Sequence, residues 1–467
     1  MIGLGVMGSN LLLNMADHGF SVIGYDKNPD KTKGLEASAT KGTTVKGVNT
    51  LEEMIAQLKT PRKLMMLVPA GSPVDNVISD LTPILQKGDI IIDGGNSHYT
   101  DTLRRINELK DIGFHFMGIG ISGGEEGARR GPSIMPGGDE AAYQEVAPIL
   151  KAVAAKVNDQ PCVGYLGKDA AGHYVKMVHN GIEYSIMQLI SECYDLMHNG
   201  LGSSNEELHL VFKDWDSGEM KSILLEITAA IFERKDEKTG GYLVDLILDK
   251  AGAKGTGKWT SQEGLDLPMP IPTIDSAVMM RNLSSLIEER KEADALYKTS
   301  LQKIDLAKDE FIQLLHDALY FATLISYAQG LAMLTTASSE LKMDIPLPEV
   351  VSVWRGGCII RSALLDLFKN AYKNAELKNL LLDESISKLL QQKEQALQKI
   401  VSLAAGNNYP VPGLMASLNY YNAYRRKLLP TNLIQAQRDF FGAHTYQRTD
   451  EAGIFHTEWD KTEEEKK

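Results

Sequence analysis

Five polar side chains recur at helical spacing in the stretch Lys176–Tyr184. They lie at positions i, i+3, i+4, i+7 and i+8, which share one face of a helix: Lys176, His179, Asn180, Glu183 and Tyr184. At a rise of ~1.5 Å per residue, the first and fourth of them stand about 10 Å apart along the axis. A small extended substrate fits between such an amine and such a carboxylic acid. The stretch predicts a helix facing a functional cleft; the alternative is a surface helix with scattered polar groups.

The composition restricts the class of protein. The chain has 467 residues, enough for two or three domains, and a net charge of −12, which argues against a nucleic-acid-binding surface. Cys162, Cys193 and Cys358 form no CxxC pair, as expected for a reduced cytoplasmic setting without disulfides. No apolar run approaches membrane-span length, and the start lacks the basic region of a signal peptide. With no HExxH motif or carboxylate cluster, we expect no metal.

A glycine-rich turn at the start of the chain predicts a nucleotide site. Gly3-Leu4-Gly5-Val6-Met7-Gly8 matches G-x-G-x-x-G and leads into a predicted helix, so the helix N-terminus would face a pyrophosphate. Asp26 ends the next predicted strand, 18 residues after Gly8, which strengthens the interpretation. Only Met1 and Ile2 precede the turn, so the first strand is nearly absent. We expect that the sequence starts late rather than that a central strand is lost.

Apolar strands then alternate with helices, a pattern typical of a parallel sheet covered on both faces. Ligands of such sheets bind beyond the carboxyl ends of the strands, where Val68-Pro69-Ala70 and Asn96 are predicted to lie. An ordinary turn residue is the alternative for Asn96. Ser122-Gly123-Gly124 offers a hydroxyl and backbone N–H groups for a carboxylate, or is a plain flexible loop.

From Ala170 to about Leu429 the pattern is helical, with a faint repeat of Tyr174–Asn180 at Phe311–Asp317. The Gly-rich loop around Lys254 lacks Walker spacing but suits a phosphate. Arg281 is alone in an apolar helix and either pairs with an acid or binds a ligand.

The aromatic segment Ala436–Tyr446 shows little helical pattern and is predicted to dock on something. Lys461–Lys467 is a solvated charge run.

Several longer motifs resemble the 6-phosphogluconate dehydrogenase family over nearly the whole chain. They are Ile90–Asn96, Ile121–Gly138, the lysine helix, Lys254–Trp259 and Gln435–His444. The resemblance implies oxidation and decarboxylation of 6-phosphogluconate to ribulose 5-phosphate and CO₂ with NADP or NAD. It also implies a homodimer in which a C-terminal tail reaches the partner's site. The implied parts are a Rossmann-like α/β domain at 1–170, an all-α domain at 171–430 and the tail at 431–467.

The resemblance also implies roles for individual residues. Lys176 is the implied general base at the substrate 3-hydroxyl, and Glu183 is the implied acid at C1 of the enediol. The implied substrate-binding residues are Asn96, Ser122, Gly123, Gly124, His179, Asn180, Tyr184, Lys254, Arg281 and, from the other subunit, Arg438 and His444. The implied cofactor-binding residues are Gly3, Leu4, Gly5, Val6, Met7, Gly8, Asp26, Lys27, Asn28, Val68, Pro69, Ala70 and Asn96. A lysine base requires a lowered pKa, through burial or nearby cations such as Lys254, Arg281 and Arg438.

One segment departs from the family pattern. Most members have an Asn-Arg-Ser/Thr run that grips the NADP 2′-phosphate, whereas this chain has Asp26-Lys27-Asn28. A carboxylate there favours a ribose 2′-hydroxyl, and Lys27 offers a point charge instead of a guanidinium fork. The cofactor stays open between NADP and NAD, with a slight lean to NAD. The competing functions are another β-hydroxyacid dehydrogenase and a catalytically silent nucleotide-binding protein.

Overall fold

The computed structural model describes residues 1–298 and 300–459, which excludes the charged run Lys461–Lys467. The chain forms two compact units, Met1–Ser417 and Leu418–Lys467. The first unit begins as an α/β fold and continues as a set of helices, which confirms the predicted fold class. The predicted domain boundaries at 170 and 430 remain predictions.

Among the described residues, the strands all lie before residue 162. They are β1 (Val22–Tyr25), β2 (Val45–Val48), β3 (Lys63–Met66), β4 (Ile90–Asp93), β5 (His115–Ser122), β6 (Ser133–Gly138), β7 (Lys156–Val157) and β8 (Gln160–Pro161). The helices among them are α1 (Val6–Asp17), α2 (Pro29–Ala37), α3 (Leu51–Gln57), α4 (Ser72–Leu81), α5 (Tyr99–Asp111), α6 (Gly124–Arg130) and α7 (Glu140–Val153).

The nearly absent first strand is represented by one residue, Ile2. It bridges Tyr25 of β1 on one side and Met66 of β3 on the other, both in parallel. The N–H of Ile2 donates to Met65 O at 2.8 Å, and the N–H of Tyr25 donates to Met1 O at 2.9 Å. A single bridged residue therefore joins the β2–β1 pair to the order β3-β4-β5-β6.

The sheet is not wholly parallel. Strands β1 to β5 pair in parallel as predicted, but β6 runs antiparallel to β5. Only the short helix α6 separates these two strands, and a parallel return needs a crossover of a dozen or more residues.

Alternate residues of the strands enter different apolar layers, as expected for a sheet buried on both faces. Met65 and Ile92 pack with α1 and α7 in one core. Met66 and Ile91 pack with α3, α4 and α5 in the other. The two layers hold the carboxyl ends of the strands at a common edge, where the predicted ligand loops begin.

The described part of the chain after β8 is mainly helical, as predicted. Its helices are α8 (Ala171–Asp195), α9 (Asn205–Ser217), α10 (Ile223–Glu233), α11 (Thr256–Asp266), α12 (Pro272–Ser284), α13 (Ile287–Tyr297), α14 (Lys308–Glu340), α15 (Leu347–Trp354), α16 (Leu364–Ala371), α17 (Glu384–Gly406), α18 (Pro412–Tyr424) and α19 (Thr431–Gly442). The two stretches of the faint repeat begin at the same position of α8 and α14, three residues after each helix starts.

Helix α14 is long and apolar enough to cross a membrane by length and mean hydropathy, although the sequence suggested no run of that length. In the chain, 94% of its most apolar window is buried. Such burial is that of a core helix packed by its neighbours.

The second unit contains α19, so the expectation of little helix at Ala436–Tyr446 is wrong. Asp439 organises this unit: its carboxylate accepts from the N–H groups of Thr445 and Thr457, the ring of His456 and the indole of Trp459, at 2.9–3.0 Å. These long-range hydrogen bonds fold the chain back along the helix, and they leave no mark in the local sequence pattern.

Candidate active site

Helix α8 carries the polar face and packs closely against the sheet, because glycines lie at the contact. A Cβ at Gly120 of β5 would lie 2.4 Å from Lys176 Cβ, and one at Gly137 of β6 would lie 2.1 Å from Gly172 N. Only glycine permits this approach, because real Cβ contacts are never so short. As a result, the polar face is buried against β5 and β6 instead of lying on the surface.

Lys176 is buried, with 6% of its surface exposed. Its Nζ lies 3.4 Å from Nδ1 of His179. Burial lowers the pKa of the Lys176 amine, although the negative charge of Glu183 opposes the shift. The lysine meets the expectation of a lowered pKa through burial, without the help of cations from the predicted phosphate grip.

His179 and Asn180 form a hydrogen-bonded relay to neighbouring elements. Asn180 Nδ2 donates to Thr256 Oγ1 at 3.0 Å, so its Oδ1, 3.0 Å from His179 Nδ1, is the acceptor of the ring N–H. The other ring nitrogen lies 3.4 Å from Ser122 Oγ. Burial, followed by the charge of Lys176, holds the pKa of His179 well below its usual value, so the imidazole is neutral.

Glu183 lies one turn further along the same face. Its Oε2 is 3.9 Å from His179 Nδ1, and 21% of its side chain is exposed. Burial raises the pKa of Glu183, against the opposing charges of Lys176 and Arg281. One helix face therefore presents a lysine whose pKa is lowered and a carboxyl group whose pKa is raised.

A cationic region lies beyond Glu183. The guanidinium of Arg281 stacks on the ring of Tyr184 at 3.4 Å, and its Nη1 donates to Gly252 O at 2.9 Å. Among the described residues, no carboxylate forms an ion pair with Arg281, so the interpretation of an acid partner is not supported. Lys254 is exposed in the loop before α11. A Cβ at Gly257 would meet the Tyr184 ring at 2.4 Å, which explains the glycine there.

Ser122, Gly123 and Gly124 join the end of β5 to α6. Gly123 and Gly124 have φ of +124° and +63°, and a Cβ at Gly123 would lie 2.6 Å from Gly357 O. Ser122 is buried beneath this turn, next to His179. The predicted serine-glycine turn is therefore adjacent to the polar face of α8.

The loop after β4 holds Asn96 at its exposed tip. Asp93 is fully buried and accepts from Gly95 N at 2.9 Å and from Ser97 Oγ at 2.5 Å. These bonds on both sides of Asn96 fix the loop and leave Asn96 exposed, and its role as a binding residue or an ordinary turn residue remains a prediction.

The glycine-rich turn fits a dinucleotide. A Cβ at Gly8 would lie 1.9 Å from Gly3 O, whereas Gly5 faces open space. Helix α1 starts directly after Gly5 with no side-chain cap, so its first N–H groups are available to an anion. The turn of Gly3, Leu4, Gly5, Val6, Met7 and Gly8 would hold a pyrophosphate in this way.

The Asp26 carboxylate accepts more hydrogen bonds than the sequence indicates. It accepts from Leu4 N at 2.8 Å, Asn28 N at 2.9 Å and Lys31 Nζ at 3.2 Å. Lys27 is exposed beside it. Burial raises the pKa of Asp26, but these bonds outweigh it and lower the pKa overall. Lys31, which the sequence reading missed, partly neutralises the carboxylate. At the next strand end, Pro69 and Ala70 are exposed and Val68 is half-buried.

Arg438 and His444 belong to the second compact unit. Arg438 lies on α19 and its Nη1 donates to Gln435 Oε1 at 3.1 Å. His444 follows the helix, and its ring packs edge-on against Phe441 at 5.8 Å. Their roles in binding substrate remain predictions.

The chain was compared with known proteins. The profile described as the NAD binding domain of 6-phosphogluconate dehydrogenase matches residues 1–167, and that of the C-terminal domain of the same enzyme matches residues 172–459. The chain belongs to the 6-phosphogluconate dehydrogenase family.

Relatives in this family align over almost their full length. The NADP(+)-dependent, decarboxylating 6-phosphogluconate dehydrogenase of Bacillus subtilis is 51% identical over 99% of this chain and 98% of the relative. The decarboxylating enzyme of Synechocystis is 49% identical over 98% and 97%. The solved structure of the Plasmodium falciparum 6-phosphogluconate dehydrogenase superposes with a TM-score of 0.95 at 45% identity, over 98% of this chain and 99% of that one.

In this member of the 6-phosphogluconate dehydrogenase family, Trp354 forms one wall of the site, which was not predicted from the sequence. The indole of Trp354 packs edge-on against His179 at 5.8 Å. Cys358 Sγ donates to Trp354 O at 3.0 Å, and burial raises the pKa of its thiol to about 12. The Gly356-Gly357 pair is the sequence feature that could have indicated this wall, because Gly357 has φ of +67° and packs against Gly123.

A potential metal site lies away from this face. Within the described residues, Glu219, His316 and Asp317 bring ligand atoms within 4.8 Å of one another. The Lys393 ammonium lies 2.7 Å from both carboxylates and pairs with them. The cluster is thus a satisfied ion-pair network.

Proposed function

We propose that the chain catalyses the oxidation and decarboxylation of 6-phosphogluconate to ribulose 5-phosphate and CO₂ with reduction of NADP. The observation that carries this proposal is the pair Lys176 and Glu183 on one buried helix face, with pKa values moved toward neutrality from opposite sides. Such a pair divides the roles of base and acid between two groups. The names of the relatives support the choice of substrate.

Lys176 acts as the general base. Burial lowers the pKa of its amine, and the neutral form takes the proton from the 3-hydroxyl as the C3–H bond breaks. A bound nicotinamide dinucleotide would accept the hydride. The resulting 3-keto acid is its own electron sink, so CO₂ leaves as the Lys176 ammonium returns its proton to the keto oxygen. The neutral His179 beside Nζ keeps a second positive charge away from the lysine.

Glu183 acts as the acid in the last step. Burial keeps its proton in place, and this proton is delivered to C1 of the enediol to give the ketose. The hydrogen bonds of His179 and Asn180 hold the helix face in register with Ser122. Misplacing either group by about 1 Å would cost about 10²-fold in rate.

The substrate lies along α8 with its two charged ends held apart. Ser122, Gly123 and Gly124 bind the carboxylate end, and Asn96 contacts the substrate from the loop after β4. Tyr184, Lys254 and Arg281 bind the phosphate end. Arg438 and His444 of the partner subunit complete this grip in a homodimer. Three free, buried cysteines suit a cytoplasmic enzyme, with no nucleic acid or membrane as partner.

NADP is the proposed cofactor, held by the glycine-rich turn, Asp26, Lys27, Asn28 and Val68–Ala70. Support comes from the Bacillus relative, which is named as NADP(+)-dependent, and from the Plasmodium enzyme, which was also solved with NADP+. Lys31 neutralises part of the Asp26 charge that would repel a 2′-phosphate. NAD is the second candidate, favoured by the presence of the Asp26 carboxylate at the strand end.

Initial rates with 6-phosphogluconate, measured separately with NADP and NAD, test the proposal. We expect reduction of the dinucleotide with equimolar release of CO₂, and a higher kcat/KM with NADP. Reduction without CO₂, or activity confined to non-phosphorylated β-hydroxyacids, would contradict it. Sedimentation of the purified protein tests the homodimer.

A further inference from the structure

We propose that Arg105, a fully buried arginine on α5, is a positioning residue that holds together the two loops that present the dinucleotide and substrate contacts. The inference rests on the proposed function of those loops. One is the loop after β3, residues 67–71, and the other is the loop after β4, residues 94–98. Nothing in the active-site chemistry requires this arginine to touch substrate or cofactor.

The guanidinium contacts each loop with a different nitrogen. Its Nη2 donates to Gly71 O at 3.1 Å in the loop after β3. Its Nη1 lies 3.4 Å from Ser97 Oγ in the loop after β4 and 3.7 Å from Oδ2 of Asp93, the last residue of β4. The two loops also touch directly, since a Cβ at Gly95 would lie 3.1 Å from Val68 O. A substitution of Arg105 would therefore alter the contacts of both loops.

A second set of bonds fixes the guanidinium itself. Nε donates to Asp75 Oδ1 at 2.8 Å and Nη2 to Asp75 Oδ2 at 3.1 Å, a fork that only arginine can make. With 1% of Arg105 and none of Asp93 exposed, these charges have no water to replace a lost partner. A lysine would keep the charge but could not reach both loops and Asp75 together.

Helix α5 also connects these loops to the catalytic helix. Thr102 Oγ1, one turn before Arg105, lies 2.7 Å from His173 Nδ1, and His173 precedes Lys176 by one turn of α8. The ring of His173 is buried at this contact. The position of Asn96 relative to Lys176 is thus set through α5.

The chain provides a matched control in the preceding residue. Arg104 is on the same helix and also binds Asp75, at 2.9 Å, but 44% of its side chain is exposed. None of its hydrogen bonds or ion pairs reaches either loop. Arg105→Lys and Arg104→Lys therefore make the same chemical change with and without the loop contacts.

The experiment measures dinucleotide binding by fluorescence titration without substrate, steady-state kinetics, and hydrogen exchange in the ligand-free protein. For Arg105→Lys we expect a Kd and a KM for the dinucleotide raised about tenfold or more, a raised KM for 6-phosphogluconate, and faster exchange at residues 67–71 and 94–98. Arg104→Lys should stay within about twofold of wild type in all of these. A folded Arg105→Lys protein that matches Arg104→Lys in binding and exchange, even with a lower Tm, would overturn the proposal.

Ser97→Ala keeps the test decisive if Arg105→Lys does not fold. It removes the hydroxyl that accepts from the guanidinium and donates to Asp93 Oδ2. Faster exchange is expected at 94–98 but not at 67–71, with a raised KM for 6-phosphogluconate; unchanged exchange at 94–98 would contradict the inference. A wild-type protein that neither binds nor reduces a dinucleotide would refute the proposed function, whereas the exchange comparison would still decide the role of Arg105.

Discussion

At the scale of single residues, the burial of Lys176 has opposite consequences for activity and for stability. The folded protein lowers the pKa of this amine below its unfolded value of 10.5. Between these two pKa values the unfolded chain binds more protons, so stability rises with pH across that window. At neutral pH the buried amine therefore costs stability, as expected of a group retained for chemistry.

Lys176→Met separates these two effects. We expect kcat to fall about 10²–10⁴-fold, the usual contribution of general acid–base catalysis, while the free energy of unfolding at pH 7 rises. The gain in stability should shrink as the pH approaches 10.5. Steady-state kinetics and urea unfolding at pH 7 and 9.5 measure both. Near-normal turnover in this variant would refute the role of Lys176 as base.

The pH dependence of the wild-type enzyme follows from the same pair. The active form needs Lys176 without its proton and Glu183 with its proton, so the pH profile of kcat should be bell-shaped, with one limb for each group. In the Arg281→Lys variant, which keeps the opposing charge, the profile should keep its shape. A profile that lacks the rising limb or the falling limb would contradict the assignment of the two groups.

Asp26→Asn tests whether Asp26 governs the choice of dinucleotide. Asparagine can still accept from Leu4 N, but it removes one negative charge and frees Lys31. Removing a like charge near a 2′-phosphate is worth about 1–4 kcal/mol. The ratio of kcat/KM for NADP to that for NAD should therefore rise about tenfold or more. The exposed Asp30, 4.0 Å from Lys33, provides the control variant Asp30→Asn. Equal ratios in the two variants would exclude Asp26 as the determinant.

At the scale of elements, the contact between β5 and α8 places Lys176. In Gly120→Ala the new methyl group would lie 2.4 Å from Lys176 Cβ and 2.8 Å from its Cγ. We expect a loss of about 1–3 kcal/mol in the free energy of unfolding from overpacking, and a fall in kcat of about 10²-fold from displacement of the amine.

Gly34→Ala is the matched control for this substitution. Gly34 is exposed in α2 with no atom within 4 Å of its Cβ position, so alanine should leave kcat unchanged and stabilise the helix slightly. Kinetics and thermal unfolding of both variants decide the matter. A destabilised Gly120→Ala protein with normal kcat would show that the packing contact does not position the lysine.

The same contact shows what a sequence can and cannot indicate about such a site. The polar face of α8 was predictable because its residues repeat within one helix, and the glycine-rich turn because its spacing is local. Gly120 and Trp354 touch that face from positions far away in the chain, and no local pattern marks them. Likewise, Asp26 was visible as an acid at a strand end, but its bond to Lys31 depends on the start of α2.

At the scale of the whole molecule, activity depends on the second unit if the tail of one protomer completes the site of another. Asp439 is the residue whose loss would disturb that unit most, since it accepts four hydrogen bonds from residues 445–459. Burial raises the pKa of this carboxyl group, but those bonds lower it overall, to about 2. Its contribution to stability is therefore present above the unfolded pKa of 3.8 and is lost as the pH falls toward 2.

Asp439→Asn should leave dinucleotide binding intact, because the proposed cofactor-binding residues belong to the first unit. It should raise the KM for 6-phosphogluconate if Arg438 and His444 bind substrate as proposed. It should also speed proteolytic cleavage after residue 440 at neutral pH, since an amide cannot accept all four bonds with the strength of a carboxylate. Asp450→Asn is the control, because that exposed carboxylate pairs only with Arg448 within the tail. A faster cleavage without any change in KM would mean that the folded tail does not contribute to the substrate site, and the shared active site would have to be abandoned.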